Sequence, residues 1–231
     1  MAYFEELDWQ RTPLGEISLR RRYDLIARTE VYEVRLGEEY LMSSLFTASE
    51  RALATHGLAM AEGEQLSVVV GGLGLGYTAA EALKDPRVAD LSVLETAEPV
   101  LDWHRRGLLP EARSLIDDAR CTLLHADFFA AVRREPDRQV DAILLDIDHT
   151  PDHVLHPSHA AFYTTAGLTS LREHLRSGGV FGLWSDDPPD PAVEELLAQV
   201  FIDVRAQVVT FPNPLIDGES ACTVYLARRD A

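Results

Sequence analysis

From Leu66 onward the chain alternates between two hydrophobic rhythms. Leu66-Ser67-Val68-Val69-Val70 is a short continuous apolar run of the kind buried on both faces of a sheet, and residues 78–83 after it have helical character. The pairing repeats with Leu91-Ser92-Val93-Leu94 and a helix over 99–106, then with Cys121-Thr122-Leu123-Leu124 and with Val140-Asp141-Ala142-Ile143-Leu144-Leu145. A helix over 165–175 is expected to end at Ser177-Gly178-Gly179, before a fifth strand, Val180-Phe181-Gly182-Leu183-Trp184. Five strands separated by helices predict an α/β fold with a parallel, doubly wound, Rossmann-like sheet. The rhythm breaks at the end. Residues 204–211 and 221–227 read as strands, and the seven residues from Pro212 to Gly218 are too few for a crossover helix, so this pair is expected to be antiparallel.

Upstream, Ile17-Ser18-Leu19 and Val31-Tyr32-Glu33-Val34-Arg35-Leu36 alternate like strands and predict a short N-terminal β-hairpin. Residues 43–58 read as a helix burying Leu45, Phe46, Ala52 and Leu53. The organisation expected is a hairpin extension over 1–40 and a nucleotide-binding domain over 41–231. Charge adds a restriction. The 231 residues carry a formal charge of −17, which repels nucleic-acid phosphates and anionic lipid and favours a small cationic partner, if it does more than keep the chain in solution. The two cysteines, Cys121 and Cys222, sit in apolar strand-like runs and suggest core residues, neither a disulfide framework nor a metal site. Glu5, Glu6 and Asp8 are wrong for a signal peptide, and no apolar run reaches membrane-spanning length, so a cytoplasmic location is expected.

Candidate chemistry lies at the ends of the strands. Gly71-Gly72-Leu73-Gly74-Leu75-Gly76 joins the first strand to its helix, where glycines admit positive φ and close ligand approach; read two residues later, it also fits a dinucleotide-binding variant. Glu95 ends the second strand, placed to accept hydrogen bonds from a ribose diol. Asp127 ends the third in Asp127-Phe128-Phe129, where it can accept an adenine amine while Phe128 packs on the ring; it is also a good helix N-cap. Asp146 ends the fourth. Open α/β sheets bind ligands outside the carboxyl ends of their strands, so these groups should line one crevice.

These residues, with Ala161-Phe162-Tyr163 and the stretch from Leu175 through Gly178-Gly179 to Val180, resemble the spermidine synthase-like branch of class I S-adenosylmethionine-dependent methyltransferases. The antiparallel C-terminal hairpin and the N-terminal hairpin fit that layout. The resemblance implies S-adenosylmethionine, or its decarboxylated form, held by Gly72, Leu73, Gly74, Gly76, Glu95, Asp127, Phe128 and Asp146. It also implies pairing with a second copy as a candidate. Three departures stand out. Aminopropyltransferases carry an Asp in the glycine turn where this chain has Gly74, which points toward the intact cofactor with its carboxylate. The family's Tyr-His pair before a Glu becomes Ala48-Ser49-Glu50, and its Asp-x-x-Asp becomes Asp146-Ile147-Asp148-His149.

The activity expected is therefore methyl transfer to a small acceptor, an amine being the simplest, with Asp146 as base or amine anchor and Asp148 or His149 assisting. The alternatives are aminopropyl transfer in polyamine synthesis, from the decarboxylated cofactor, and a non-catalytic nucleotide-binding protein. Four of the eight histidines, His149, His153, His156 and His159, crowd one loop broken by Pro151 and Pro157; no metal is expected there. Ser185-Asp186-Asp187-Pro188-Pro189-Asp190 overhangs the same crevice, where its acids suit either a cationic amine or the cap of a helix from Pro191.

Overall fold

The computed structural model describes residues 4–13 and 15–231; residues 1–3, in the acidic N-terminal stretch, and Leu14, in the expected hairpin, lie outside the described residues. The N-terminal part is a four-stranded antiparallel sheet of β1 (Phe4–Thr12), β2 (Gly15–Asp24), β3 (Thr29–Leu36) and β4 (Glu39–Ser43) in that order. The expected hairpin is its central pair, in register Ile17↔Leu36 and Leu19↔Val34, with Ile17, Leu19, Val31 and Val34 buried. The outer strands carry no apolar alternation. β1 is half exposed and joins β2 through backbone hydrogen bonds and the ion pairs Glu5–Arg21, Glu6–Arg20 and Arg11–Glu16, while Leu7 of β1 and Leu41 and Met42 of the short β4 pack against the core. Trp103 Nε1 donates to Asp8 at 2.6 Å and ties β1 to the larger domain.

The helix expected from residue 43 is α1 (Ala48–Met60), which starts later because Ser43 still belongs to β4 and its hydroxyl accepts the Leu45 N–H in a turn. Leu53, Ala54 and Leu58 bury its inner face. The chain then runs β5 (Leu66–Gly71), α2 (Tyr77–Ala82), β6 (Val88–Glu95), α3 (Glu98–Arg105), α4 (Ala112–Ile116), β7 (Cys121–His125), α5 (Phe128–Val132), β8 (Val140–Leu145), α6 (Thr165–Glu173), β9 (Leu175–Ser185), α7 (Pro191–Ala198), β10 (Ile202–Asn213) and β11 (Gly218–Arg228). Ser177-Gly178-Gly179 lies inside β9, at a register irregularity, and not at a helix end.

The seven-stranded sheet has the order β10-β11-β9-β8-β5-β6-β7, parallel from β9 to β7 and antiparallel at β9–β11 and β10–β11. Apolar side chains pack on both faces. One cluster holds Leu53, Leu83, Leu101 and Trp103, and the other holds Phe129, Leu171, Phe181 and Leu197. The chain runs outward from β5 through β6 to β7 and then crosses back to β8 on the other side of β5. That reversal opens a crevice between the carboxyl ends of β5 and β8. No helix among the described residues is long and apolar enough to cross a membrane.

Candidate functional site

The turn after β5 is shaped by what crowds it. Gly72 has φ +93°, and a Cβ there would stand 2.1 Å from the Asp146 carbonyl oxygen; Gly71 O accepts the Asp146 N–H at 2.8 Å. β5 and β8 therefore touch backbone to backbone at the crevice floor. Gly74 has φ +46°, and its Cβ would meet Met42 Cε at 2.2 Å. The Met42 sulfur, from β4, accepts the Leu75 N–H at 3.0 Å.

Glu95 braces the turn. One carboxylate oxygen accepts the Leu73 N–H at 3.0 Å and the Gly74 N–H at 3.4 Å, and the other accepts the Ala97 N–H at 2.7 Å. His104, on α3, supports it from below, donating from Nε2 to Gly74 O at 2.9 Å. Burial pushes the His104 pKa down to about 4, so the ring is neutral, and its Nδ1 has no hydrogen-bond partner among the described residues. His104 lies four residues after Val100 and three after Leu101, on the buried face of α3, and that spacing is the sequence signal that marks it as inward-facing.

A cavity of about 300 Å³ opens above the turn, lined by Gly72, Gly74, Glu95, Asp127 and Asp146, with His149, His156 and His159 along its edge. Four of the expected strand ends thus meet in one place. Asp127 is at once the N-cap of α5, accepting the Ala130 N–H at 3.0 Å, and a lining residue. Phe128, expected against an adenine ring, is a correction: it is fully buried beneath Gly71 and packs edge-on to Phe129 and Phe162. The first residue of α5 points inward because the Asp127 cap starts the helix with that face toward the sheet.

Asp146 sits where this cavity meets a second one, of about 460 Å³. Leu41, Met42, Ile147 and His149 line both. The second is walled by Tyr40 from β4, Phe46 before α1, Trp184 near the end of β9 and Phe211 from β10, and it is acidic, with Glu50, Asp146 and Asp186. Burial raises the Asp146 pKa, opposed by the Thr78 hydroxyl donating at 2.6 Å. Burial first, and then the negative charge of Asp146, raises that of Glu50, which accepts from the Ser49 hydroxyl at 2.8 Å. The cation on this wall, Arg22, is already paired with Asp24 at 2.6 Å and Glu33 at 2.5 Å. Among the described residues, the buried Trp184 Nε1–H has no partner. Glu50 stands in Ala48-Ser49-Glu50, on α1 and away from the strand ends, so the strand-end pattern does not point to it.

Asp148 is placed differently from Asp146. Its side chain is fully buried, lines neither cavity, and accepts the Leu155 N–H at 2.8 Å, His159 Nδ1 at 2.8 Å and the Tyr163 hydroxyl at 2.9 Å. Its expected place in the reaction is corrected to one of support: β8 ends at Leu145, and beyond it the loop's own hydrogen bonds, and not strand alternation, turn Asp148 away from the side on which Asp146 lines both cavities. His149 lies 3.5 Å from Glu39 and beside His153. Asp190 caps α7, accepting the Ala192 N–H at 2.8 Å, as one reading of that acidic loop expects; Asp186 donates its backbone N–H to His149 O at 2.8 Å and lines the second cavity. No three His, Cys, Asp or Glu side chains are grouped as a metal site among the described residues.

No family model matches the chain. It is 29% identical over 160 residues to polyamine aminopropyltransferase 2 of Pseudomonas aeruginosa, covering 67% of this chain and 45% of that protein. The chain thus spans about half the length of this curated relative. A spermidine synthase crystallised with the transition-state analogue AdoDATO superposes with a TM-score of 0.76 at 18% identity, over 96% of this chain and 73% of that one. The spermidine synthase of Thermotoga maritima superposes with a TM-score of 0.73 at 18% identity, over 96% and 72%. The chain has the spermidine synthase fold. The expected α/β sheet is borne out, and the hairpin extension proves to be the middle of a small sheet.

Proposed function

We propose that this chain is a transferase that moves an aminopropyl group from decarboxylated S-adenosylmethionine to a cationic amine. The observation that carries the proposal is the pair of cavities joined at Asp146, one lined by nucleoside-type partners and the other by three carboxylates and aromatic rings. The curated relative named for aminopropyl transfer supports the same reading, in place of the methyl transfer expected from the sequence.

The residues fit such a donor. The glycine turn packs tightly at the cavity floor, since a Cβ at Gly72 would strike the Asp146 carbonyl and one at Gly74 would strike Met42, so its backbone lines the cavity without side chains. Glu95 retains lone pairs for ribose hydroxyls beyond its three backbone donors, since a carboxylate offers about four. Leu73, which is buried, and Gly76, whose φ of +91° opens α2, shape the turn but line neither cavity, unlike Asp127, which faces the first. The bound sulfonium supplies an activated carbon. The protein's part is to align the attacking nitrogen in line with it. The second cavity concentrates a cationic amine, and Asp146, with Glu50 beside it, takes the ammonium proton that must leave before nitrogen can attack. His149, lining both cavities, closes the junction.

One observation favours a second reading, methyl transfer from intact S-adenosylmethionine. The glycine turn carries no acid, and Met42 fills the space beside Gly74. Product analysis separates the two. With a diamine acceptor, release of methylthioadenosine is expected; release of adenosylhomocysteine instead would support methyl transfer. Calorimetry should also show at least tenfold weaker binding of the donor by Glu95→Ala, which removes a ribose acceptor and loosens the turn. No binding of any adenosyl sulfonium or thioether would end both readings.

A further inference from the structure

The histidine-rich loop places a polar group on the donor cavity that neither reading above uses. Asp148 ties three parts of this loop together through Leu155, His159 and Tyr163, and Leu155 and His159 line the cavity. The His159 ring is fixed twice. It stacks on Phe129 with centroids 4.0 Å apart, and its Nδ1 meets Asp148 at 2.8 Å. A carboxylate that also receives a backbone N–H and a tyrosine hydroxyl is acting as an acceptor, so His159 carries its hydrogen on Nδ1. In the tautomer with that hydrogen on Nδ1, Nε2 is the ring's acceptor. Asp127, two residues before the Phe129 on which His159 stacks, lines the same cavity, with one oxygen committed to Ala130.

We propose that His159, positioned by Asp148, is a second acceptor beside Asp127 for a ligand group that donates two hydrogens, and that it makes this cavity select a 6-aminopurine over a 6-oxopurine. Two fixed acceptors match an exocyclic amine, which donates twice. A 6-oxopurine presents an acceptor oxygen at the same place and leaves both protein groups opposed. His159 lines the first cavity and not the second, so its contact is with the nucleoside and not with the acceptor amine. The inference rests on the reading of the first cavity as an adenosyl site.

Calorimetry with 5′-methylthioadenosine and 5′-methylthioinosine tests it. The wild-type chain should bind the amino form at least tenfold more tightly, and His159→Leu, which keeps bulk against Phe129, should reduce that ratio about fivefold or more. His159→Gln, which restores an acceptor, should recover part of it, and thermal melting of both variants reports whether the loop still packs. Asp148→Asn should lower the same ratio, because a side-chain amide no longer enforces hydrogen on Nδ1. A purely structural role predicts equal weakening of both ligands. An unchanged ratio in His159→Leu overturns the inference while leaving the adenosyl reading intact. Failure of the wild type to bind either thioether overturns both.

Discussion

The two cavities that meet at Asp146 handle charge in opposite ways. On the donor side, polar groups are already engaged by the protein. Glu95 accepts three backbone N–H groups, Asp127 caps α5, and neutral His104 donates to Gly74. On the other side, Glu50 and Asp146 are buried with a hydroxyl each, and among the described residues neither has an ion pair: Arg22 is paired with Asp24 and Glu33, and Arg51, which acts on Glu50 only through its charge, is paired with Glu81 and Glu111. The first cavity is preorganised for a ligand of fixed shape. The second holds unbalanced negative charge that a cation would relieve, which is the physical basis for placing an amine there.

The largest effect should come from the residue shared by both. Asp146→Asn keeps size and the Thr78 contact but removes charge and basicity. Turnover with a productive amine should fall by roughly 10²–10⁴, while binding of methylthioadenosine changes little. A variant that turns over at the wild-type rate would remove Asp146 from the chemistry and direct attention to His149 and Asp186.

The contrast also explains what was legible beforehand. The donor cavity is built from the ends of consecutive strands, so Gly72, Gly74, Glu95, Asp127 and Asp146 can be read from local rhythm alone. The second cavity gathers Tyr40, Glu50, Trp184 and Phe211 from four distant segments, and no local period encodes their meeting. Phe128 and Asp148 show the limit within legible segments. Strand and helix ends were found, but which way the next side chain turns depended on a cap and on the loop's own hydrogen bonds. β1 and β4 lack a regular apolar alternation, because as edge strands they are held by backbone bonds, by cross-strand ion pairs and by a few partly buried side chains, so no local period announces them.

Acid should weaken the donor side. His104 titrates near 6.5 unfolded but is pushed down to about 4 in the folded chain, so below neutrality the unfolded state takes the proton first. Its stabilising contribution is intact above about 6.5 and is lost as pH falls toward 4, a change on the order of 3 kcal/mol. His104→Gln can still donate to Gly74 O but does not titrate. Chemical denaturation at several pH values should show the stability gap between wild type and variant closing or reversing on acidification. A gap that stays constant from neutral pH to about pH 4.5 would mean His104 is not held neutral.

The opposite sign is expected on the acceptor side, with a smaller effect. Raised carboxyl pKa values mean that the folded chain keeps protons on Glu50 and Asp146 that the unfolded chain has lost, so acidification relieves this pair instead of straining it. A bound ammonium reverses the preference by favouring the ionised form, and protons leave as the amine enters. Diamine affinity should therefore rise with pH between about 5 and 8, by at most tenfold per unit for each proton released. Aliphatic amines stay charged throughout that range, so the slope belongs to the protein. Glu50→Gln keeps the shape of the wall but removes one titrating group, and the slope should become shallower. Calorimetry in two buffers of different ionisation enthalpy counts the protons directly. Equal proton release by wild type and Glu50→Gln would show that Glu50 is not part of the amine site, and the contrast between a satisfied donor cavity and a charge-storing acceptor cavity would then rest on Asp146 alone.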